Sequence, residues 1–487
     1  MRGWRGGAAA LLVAAVLLPA PLLLKRRAAA PADEWRRADF DLALDRALAD
    51  LDDEPRRRDD EDVDRALAPR RRLADGDALP AQIECSVVTF AWKQDVKTGG
   101  GAYRRVVVDD LDSDGDAADL VSVDNSADQL WWFANNMAGT FTASQISDYT
   151  SSVQDLGNDV ATGDITGDNS VDIVVASDKK TRLSLYVNSG DGGTFSQTPI
   201  DGGLNDAKSV FVVDVDGDGN NDVVSAATKA GKTNFYWYEN SGAPATDDDD
   251  DTSWGFTPRT IAAQYPTSVV FVDDDDLSEV VAVNIYVANV DGDTKLDVLY
   301  ADDRNGVLAW NAQPAGVTSA SDWGSSLLID FDASNKAKWV VAADFDGDGD
   351  MDVVAAKTDG TIPMYENDLA QSVFVTWTER TPLVNAPADD DDIDIVASVE
   401  VADIDGDGDL DVLAAVDDED KVRVWLNQDS SPGAWNFASS FAADDRSDGL
   451  GSNGATAYSL VAVDLDADGD LDIVATQGAY ISWYEND

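Results

Sequence analysis

VADIDGDGDLDVLAA, at residues 401–415, sets the architecture of the chain because copies of it recur along the sequence. It places an acidic, glycine-containing loop between two apolar runs. Runs rich in valine, leucine and isoleucine are typical of β-strands, and Asp and Gly are typical of the turns between them. The stretch therefore predicts a strand–loop–strand unit whose loop carries several carboxylates.

The unit occurs seven times between residue 100 and the C-terminus. Close copies begin their acidic loop at Asp214, Asp344 and Asp464, and looser copies begin at Asp110, Asp164 and Asn289. Successive loops are 54, 50, 75, 55, 59 and 61 residues apart. Self-similarity at such a period indicates a repeat architecture built from one supersecondary unit.

Each unit contains four β-rich runs. In the sixth unit these are residues 396–402, 412–416, 422–426 and 435–441. The third run carries an aromatic element, such as Trp237-Tyr238-Glu239-Asn240, and most units continue with a Gly/aromatic turn. Four strands repeated seven times predict an all-β fold, a seven-bladed β-propeller of four-stranded blades over residues 81–487. A parallel β-helix is the structural alternative, but its coils are shorter than these spacings.

The last unit stops at Asn486 and Asp487, midway through a repeat. Unpaired strands would leave an exposed sheet edge, which propellers avoid. We therefore expect residues 84–108 to complete a blade with the C-terminal run 471–485.

The first 80 residues differ in composition from the repeats. Ala8 to Leu24 is an apolar run that follows two arginines, so residues 1–32 are expected to be a signal peptide or an uncleaved signal anchor. Residues 33–80 mix charges of both signs with Ala and Leu, which predicts a charged linker, partly helical or disordered.

Composition excludes several functions. The 487 residues carry 35 basic and 94 acidic side chains, and residues 81–487 hold 78 of the acidic ones. This surface would repel nucleic acid and anionic membranes and attract divalent cations. The chain has no histidine and one cysteine, Cys85, which excludes Ser-His-Asp and Cys-His catalysis, His-ligated zinc and an intrachain disulfide.

The loop pattern D-x-D-G-D-G-x-x-D suits a cation. Calcium takes six to eight oxygen ligands in irregular geometry, and carboxylates at positions one, three, five and nine can converge if glycines let the chain turn tightly. The candidate ligands in the four complete loops are Asp214, Asp216, Asp218, Asp222; Asp344, Asp346, Asp348, Asp352; Asp403, Asp405, Asp407, Asp411; and Asp464, Asp466, Asp468, Asp472. Those in the three degenerate loops are Asp110, Asp112, Asp114; Asp164, Asp168, Asp172; and Asn289, Asp291, Asp293, Asp297.

The degenerate loops are expected to bind calcium more weakly or not at all. The second has Thr166 at position three, the fourth begins with Asn289, and the first has one extra residue before Asp119. A simpler interpretation of any single loop is that Asp-Gly pairs only make hairpin turns. Seven loops with carboxylates in the same phase favour a cation, because crowded carboxylates repel one another without one.

The motif pair, D-x-D-G-D-G-x-x-D followed by W-Y-E-N and then G-x-F, resembles the FG-GAP/VCBS repeat family. The resemblance covers roughly residues 100–487 and is specific in four repeats. The family includes the calcium-binding propeller of integrin α chains. The resemblance implies a propeller with calcium in its inter-strand loops, used for adhesion or ligand recognition.

The sequence features are compatible with two functions. The first is a secreted or cell-surface module, expected to be a monomer, that recognises a protein or polysaccharide and is not an enzyme. The second is a polysaccharide-active lyase or hydrolase with its site in the propeller funnel. Two unpaired carboxylates about 5–10 Å apart in the funnel, outside the metal loops, would favour the enzyme.

Overall fold

A computed structural model describes residues 90–486, apart from residues 100, 116–117, 137–139, 149–156, 178–182, 191–192, 205, 230–231, 245–253, 262–281, 315–322, 324–325, 370–374, 385–394, 418–420, 429–434, 438–440 and 443–456. The expected leader or anchor at 1–32 and the linker at 33–80 lie outside the described residues. None of the described residues belongs to a helix long and apolar enough to cross a membrane.

The described residues form seven four-stranded antiparallel blades, and every named element is a strand. The inner strands are Tyr103–Asp109, Gly157–Gly163, Asp206–Val213, Ala282–Ala288, Ala337–Ala343, Val396–Ala402 and Ala457–Val463. The second strands are Asp119–Asp124, Asp172–Ser177, Asp222–Lys229, Asp297–Asp302, Asp352–Lys357, Asp411–Val416 and Asp472–Gln477. The third strands are Gln129–Asn135, Leu183–Asn188, Lys232–Pro244, Val307–Asn311, Met364–Asn367, Lys421–Trp425 and Tyr480–Asn486. The outer strands are Phe141–Asp148, Phe195–Asp201, Trp254–Ile261, Leu327–Phe331, Trp377–Glu379, Phe441–Ala442 and Phe90–Thr98, and in the fifth blade Thr361–Ile362 also pairs with Leu383–Val384.

The inner strands close a ring. Each inner strand contacts the inner strand of the next blade, and that of the seventh blade contacts that of the first. The predicted all-β, seven-bladed propeller is therefore confirmed. The acidic loops connect inner to second strands, so they all lie at the same end of their blades.

The core lies between neighbouring blades. The second strand of the sixth blade, Asp411–Val416, is buried along its whole length. Its Val412 packs towards the fifth blade, while its Leu413 packs towards the seventh. The apolar runs seen in the sequence are therefore strands covered on both faces, as expected for sheets stacked around a ring.

The ring closes with a strand from the other end of the propeller. Phe90–Thr98 pairs antiparallel with Tyr480–Asn486, and Phe90 lies opposite Asn486. The prediction that this N-terminal run completes the last blade is confirmed for residues 90–98, whereas residues 84–89 lie outside the described residues. The prediction was wrong for the run from Tyr103 onward, because Tyr103–Asp109 pairs with Asp119–Asp124 as the inner strand of the first blade. The last repeat already has its own inner strand, Ala457–Val463, and needs only one strand from outside.

Candidate metal sites in the blade loops

The loops turn tightly because two positions take left-handed backbone conformations. In the sixth loop these are Gly406, with φ of 70°, and Gly408, with φ of 98°. Residues with a side chain rarely adopt such φ angles, whereas glycine does so readily. The turn brings the backbone N–H of Gly408 to 2.9 Å from Asp403 Oδ2 and that of Asp407 to 3.2 Å from Asp405 Oδ1.

In five of the described loops, three carboxylates offer oxygens that lie within 4.8 Å of one another. These groups are Asp110, Asp112 and Asp114; Asp214, Asp216 and Asp218; Asp344, Asp346 and Asp348; Asp403, Asp405 and Asp411; and Asp464, Asp466 and Asp468. The structure thus brings together three of the four predicted ligands in each complete loop and all three predicted ligands of the degenerate first loop. Such clusters of oxygen donors can bind a metal ion.

Six of the seven loops contain a buried side-chain oxygen that has no hydrogen-bond partner among the described residues. The atoms are Asp110 Oδ1, Thr166 Oγ1, Asn289 Oδ1, Asp344 Oδ1, Asp403 Oδ1 and Asp466 Oδ1. Buried polar atoms are normally hydrogen-bonded, because an unsatisfied one costs about 1–3 kcal/mol. All six lie at loop position one or three, where the sequence predicts cation ligands. The oxygen ligands that these loops present therefore fit a bound metal ion.

The carboxylates at position three are also electrostatically crowded. Burial raises the pKa of Asp405, and the neighbouring carboxylates of Asp407 and Asp403 raise it further. The pKa of Asp216 and that of Asp466 are raised by the same combination of burial and adjacent carboxylates. A divalent cation would remove this repulsion and favour the ionised form.

The aspartate at position nine begins each second strand and is at most 1% exposed. In the sixth loop, Asp411 Oδ2 accepts the backbone N–H of Ile404 at 2.8 Å and Oδ1 accepts that of Asn427 at 2.8 Å. The same two bonds recur in all seven blades, at 2.8–3.1 Å for Oδ2 and 2.7–2.9 Å for Oδ1. This residue therefore anchors its loop to the third strand and can still offer a lone pair to a metal.

Burial dominates the titration of these aspartates. It raises the pKa of Asp411 to about 7, although the N–H bonds from Asn427 and Ile404 oppose the shift. It likewise raises the pKa of Asp472 to about 6. Without a cation, these carboxyl groups are partly protonated near neutral pH.

Sequence reasoning missed the role of the asparagine that ends the third strand. In the second blade, Asn188 donates its backbone N–H to Asp172 and its side-chain Nδ2 to the carbonyl of Leu111 in the loop of the first blade, at 2.7 Å. The signal was present as the final Asn of the W-Y-E-N element, 14–18 residues after the position-nine Asp in six blades. In the fourth blade Gln313 takes this place and donates its backbone N–H to Asp297.

The fold and the loops define the class of this protein as a β-propeller of acidic-loop repeats. Family comparison agrees, since the FG-GAP-like repeat model matches residues 164–225, 289–355, 344–414 and 403–475. The chain belongs to the FG-GAP-like repeat family. As such a propeller it has the architecture of a recognition or scaffold module.

The chain is similar to solved structures at low sequence identity. A crystal structure of BBS1N in complex with ARL6DN, soaked with lead, is 12% identical with a TM-score of 0.50, covering 82% of this chain and 96% of that one. An Agrocybe aegerita lectin that recognises non-reducing terminal N-acetylglucosamine is 16% identical with a TM-score of 0.46, covering 72% of this chain and 81% of that one. No curated protein sequence matches the chain.

Proposed function

We propose that this chain is an exported propeller that binds calcium in its blade loops and recognises a protein or polysaccharide ligand. The observation that carries the metal assignment is the set of buried oxygens at loop positions one and three that have no hydrogen-bond partner among the described residues. Calcium is favoured over other cations because the loops offer only oxygen ligands in irregular geometry. Magnesium demands a tighter octahedral site and is expected to bind more weakly.

The recognition role is supported by the architecture. A ring of loops held rigid by metal and by inter-blade bonds presents a preorganised surface, which lowers the entropic cost of binding a ligand. The apolar run at Ala8 to Leu24 and the acidic composition support export, attachment to a membrane only through the N-terminus, and no nucleic-acid partner. We expect the protein to act as a monomer.

Catalysis is the less favoured function. Near the ring axis, the Arg105 guanidinium of the first blade lies 4.7 Å from the ring centroid of Trp339 in the fifth blade. Burial raises the pKa of Glu400 to about 7, and Arg105 opposes this shift. A glycosidase needs a second available carboxylate. The nearby Asp159 is committed to Ser209 Oγ and the Val210 N–H, both at 3.0 Å, which argues against its use as that group.

A ligand screen of the full chain tests the recognition role. Immobilised glycans and proteins are probed with the chain in millimolar calcium and again in chelator. We expect binding to a defined ligand that is lost in chelator. Turnover of a polysaccharide by the chain, abolished by Glu400→Gln, would contradict the binding role and establish the enzyme.

A further inference from the structure

Hydrogen bonds link the loop of one blade to the loop of the next. Leu111 lies between the position-one and position-three ligands of the first loop, and its carbonyl accepts Asn188 Nδ2 of the second blade at 2.7 Å. The backbone N–H of Asn188 reaches Asp172 Oδ1 at 2.9 Å. Asp172 Oδ2 in turn accepts the N–H of Ile165, which lies between the ligand positions of the second loop. The chain of bonds can then continue into the third blade.

The same side-chain bond recurs at five of the seven junctions in the described residues. The donors and acceptors are Asn135 to Leu465, Asn188 to Leu111, Asn240 to Ile165, Asn367 to Val290 and Asn486 to Ile404, at 2.7–3.1 Å. These bonds are buried, where a hydrogen bond is strong and its loss is costly. They join blades six, seven, one, two and three into one arc and blades four and five into a second.

Two junctions lack this link among the described residues. Between the third and fourth blades, Gln313 replaces asparagine, and its side-chain oxygen accepts the N–H of Leu296 in its own blade. A cleft of about 260 Å³ opens there, lined by Val215 and Gln313 among others. Between the fifth and sixth blades, the side-chain oxygen of Asn427 accepts the N–H of Asn436 in its own blade.

We propose that these asparagines couple neighbouring metal loops, so that calcium binds cooperatively within each arc and independently across the two breaks. The inference rests on the proposed calcium binding. Calcium in one loop fixes the peptide between ligands one and three, including the carbonyl that orients the asparagine of the next blade. That asparagine holds the position-nine aspartate of the next loop. The second ion therefore binds a loop that is already ordered, so less conformational entropy is lost on binding and cooperativity is positive.

The sixth–seventh junction provides the test, with the fifth–sixth junction as a matched control. Calcium bound by the full chain is measured against free calcium by equilibrium dialysis. Asp405→Ala disables the sixth loop and Asn486→Ala cuts its link to the seventh. Asp346→Ala disables the fifth loop, and Asn427→Ala removes an equivalent side chain that makes no link to the fifth blade among the described residues.

Coupling predicts that Asp405→Ala removes one calcium at saturation and also lowers calcium affinity in the remaining arc by five-fold or more. Asn486→Ala is expected to lower affinity to a similar degree without removing a site, and the two changes together add little to either alone. Asp346→Ala is expected to remove one calcium and leave sixth-loop affinity unchanged, with or without Asn427→Ala. Melting in chelator checks that each variant folds, and Asn240→Ala at the second–third junction replaces Asn486→Ala if that variant does not fold.

Several outcomes separate this inference from the proposed function. Equal effects at the two junctions, or the loss of a single independent site with Asp405→Ala, would overturn the coupling and leave calcium binding intact. A wild-type chain that binds no calcium would overturn both. Loss of cooperativity confined to Asn486→Ala supports the coupling, because a merely structural role would affect Asn427→Ala equally.

Discussion

Replacing Asp411 or Asp405 by alanine distinguishes the structural anchor of the sixth loop from a calcium ligand of the same loop. Asp411 is fully buried and accepts two backbone N–H groups at 2.8 Å, from Ile404 and Asn427. Asp405 is partly exposed, and its carboxylate is crowded by Asp403 and Asp407. The first residue should support the fold with or without metal, whereas the second should support it only through calcium.

The magnitudes follow from the contacts. Asp411→Ala leaves two buried N–H groups without an acceptor, at about 1–3 kcal/mol each, so the free energy of unfolding should fall by about 2–6 kcal/mol in chelator. Asp405→Ala removes a crowded carboxylate with one exposed bond, so its effect in chelator should stay within about 1 kcal/mol. With free calcium at 100 times the dissociation constant, Asp405→Ala should forfeit at least about 2.7 kcal/mol, which is the linkage of one site, and further linkage from the loops coupled to it.

Urea unfolding of both variants, followed by tryptophan fluorescence in chelator and in calcium, measures these differences. Wild-type chain under the same conditions is the reference, and an unchanged m-value shows that the same surface is exposed on unfolding. Equal losses for the two variants in chelator would refute the assignment of Asp411 as a structural anchor.

Three further predictions concern loop quality, ring closure and pH. Asp405→Ala should cost more calcium-dependent stability than Asp291→Ala, because the fourth loop begins with Asn289; similar losses in paired melts would show that motif quality does not track occupancy. Deleting residues 84–98 should abolish cooperative unfolding, because Tyr480–Asn486 loses its antiparallel partner; an unchanged melting temperature would contradict the closure. In chelator, the free energy of unfolding should fall as pH rises from 5 to 8. The position-nine carboxyls have pKa values raised to about 6 or about 7 in the folded chain, so they bind protons that the unfolded chain has already released. A free energy of unfolding that rises over this range would be inconsistent with burial of these carboxyls.

The repeated features were predictable because they are written locally. Residues 396–402 were expected as a strand and form Val396–Ala402, and the expected acidic loop follows directly. The outer strand of the same blade was expected at 435–441, whereas the structure has a single bridge at Phe437 and a strand at Phe441–Ala442. An outer strand pairs with only one neighbouring strand, so the pattern of its apolar residues defines its bounds less well.

Contacts between blades were harder to predict. The side-chain bond from Asn188 to Leu111 joins residues 77 apart in sequence, and no local pattern specifies it. By contrast, Tyr103–Asp109 pairs with Asp119–Asp124 across its own acidic loop, so its place in the first blade follows from the local strand–loop–strand pattern. The Asn that ends the third strand contacts the preceding blade only in the folded structure, so its role between blades is not evident from its own repeat.

Calcium binding by the full chain is the most direct test of the central claim. Thermal unfolding is followed in chelator, in millimolar calcium and in millimolar magnesium, alongside calorimetric titration with calcium. The structure predicts saturable calcium binding at several sites, a melting temperature raised by calcium and a smaller rise with magnesium. Identical melting curves in chelator and calcium, with no binding heat at any calcium concentration, would contradict the assignment of these loops as calcium sites.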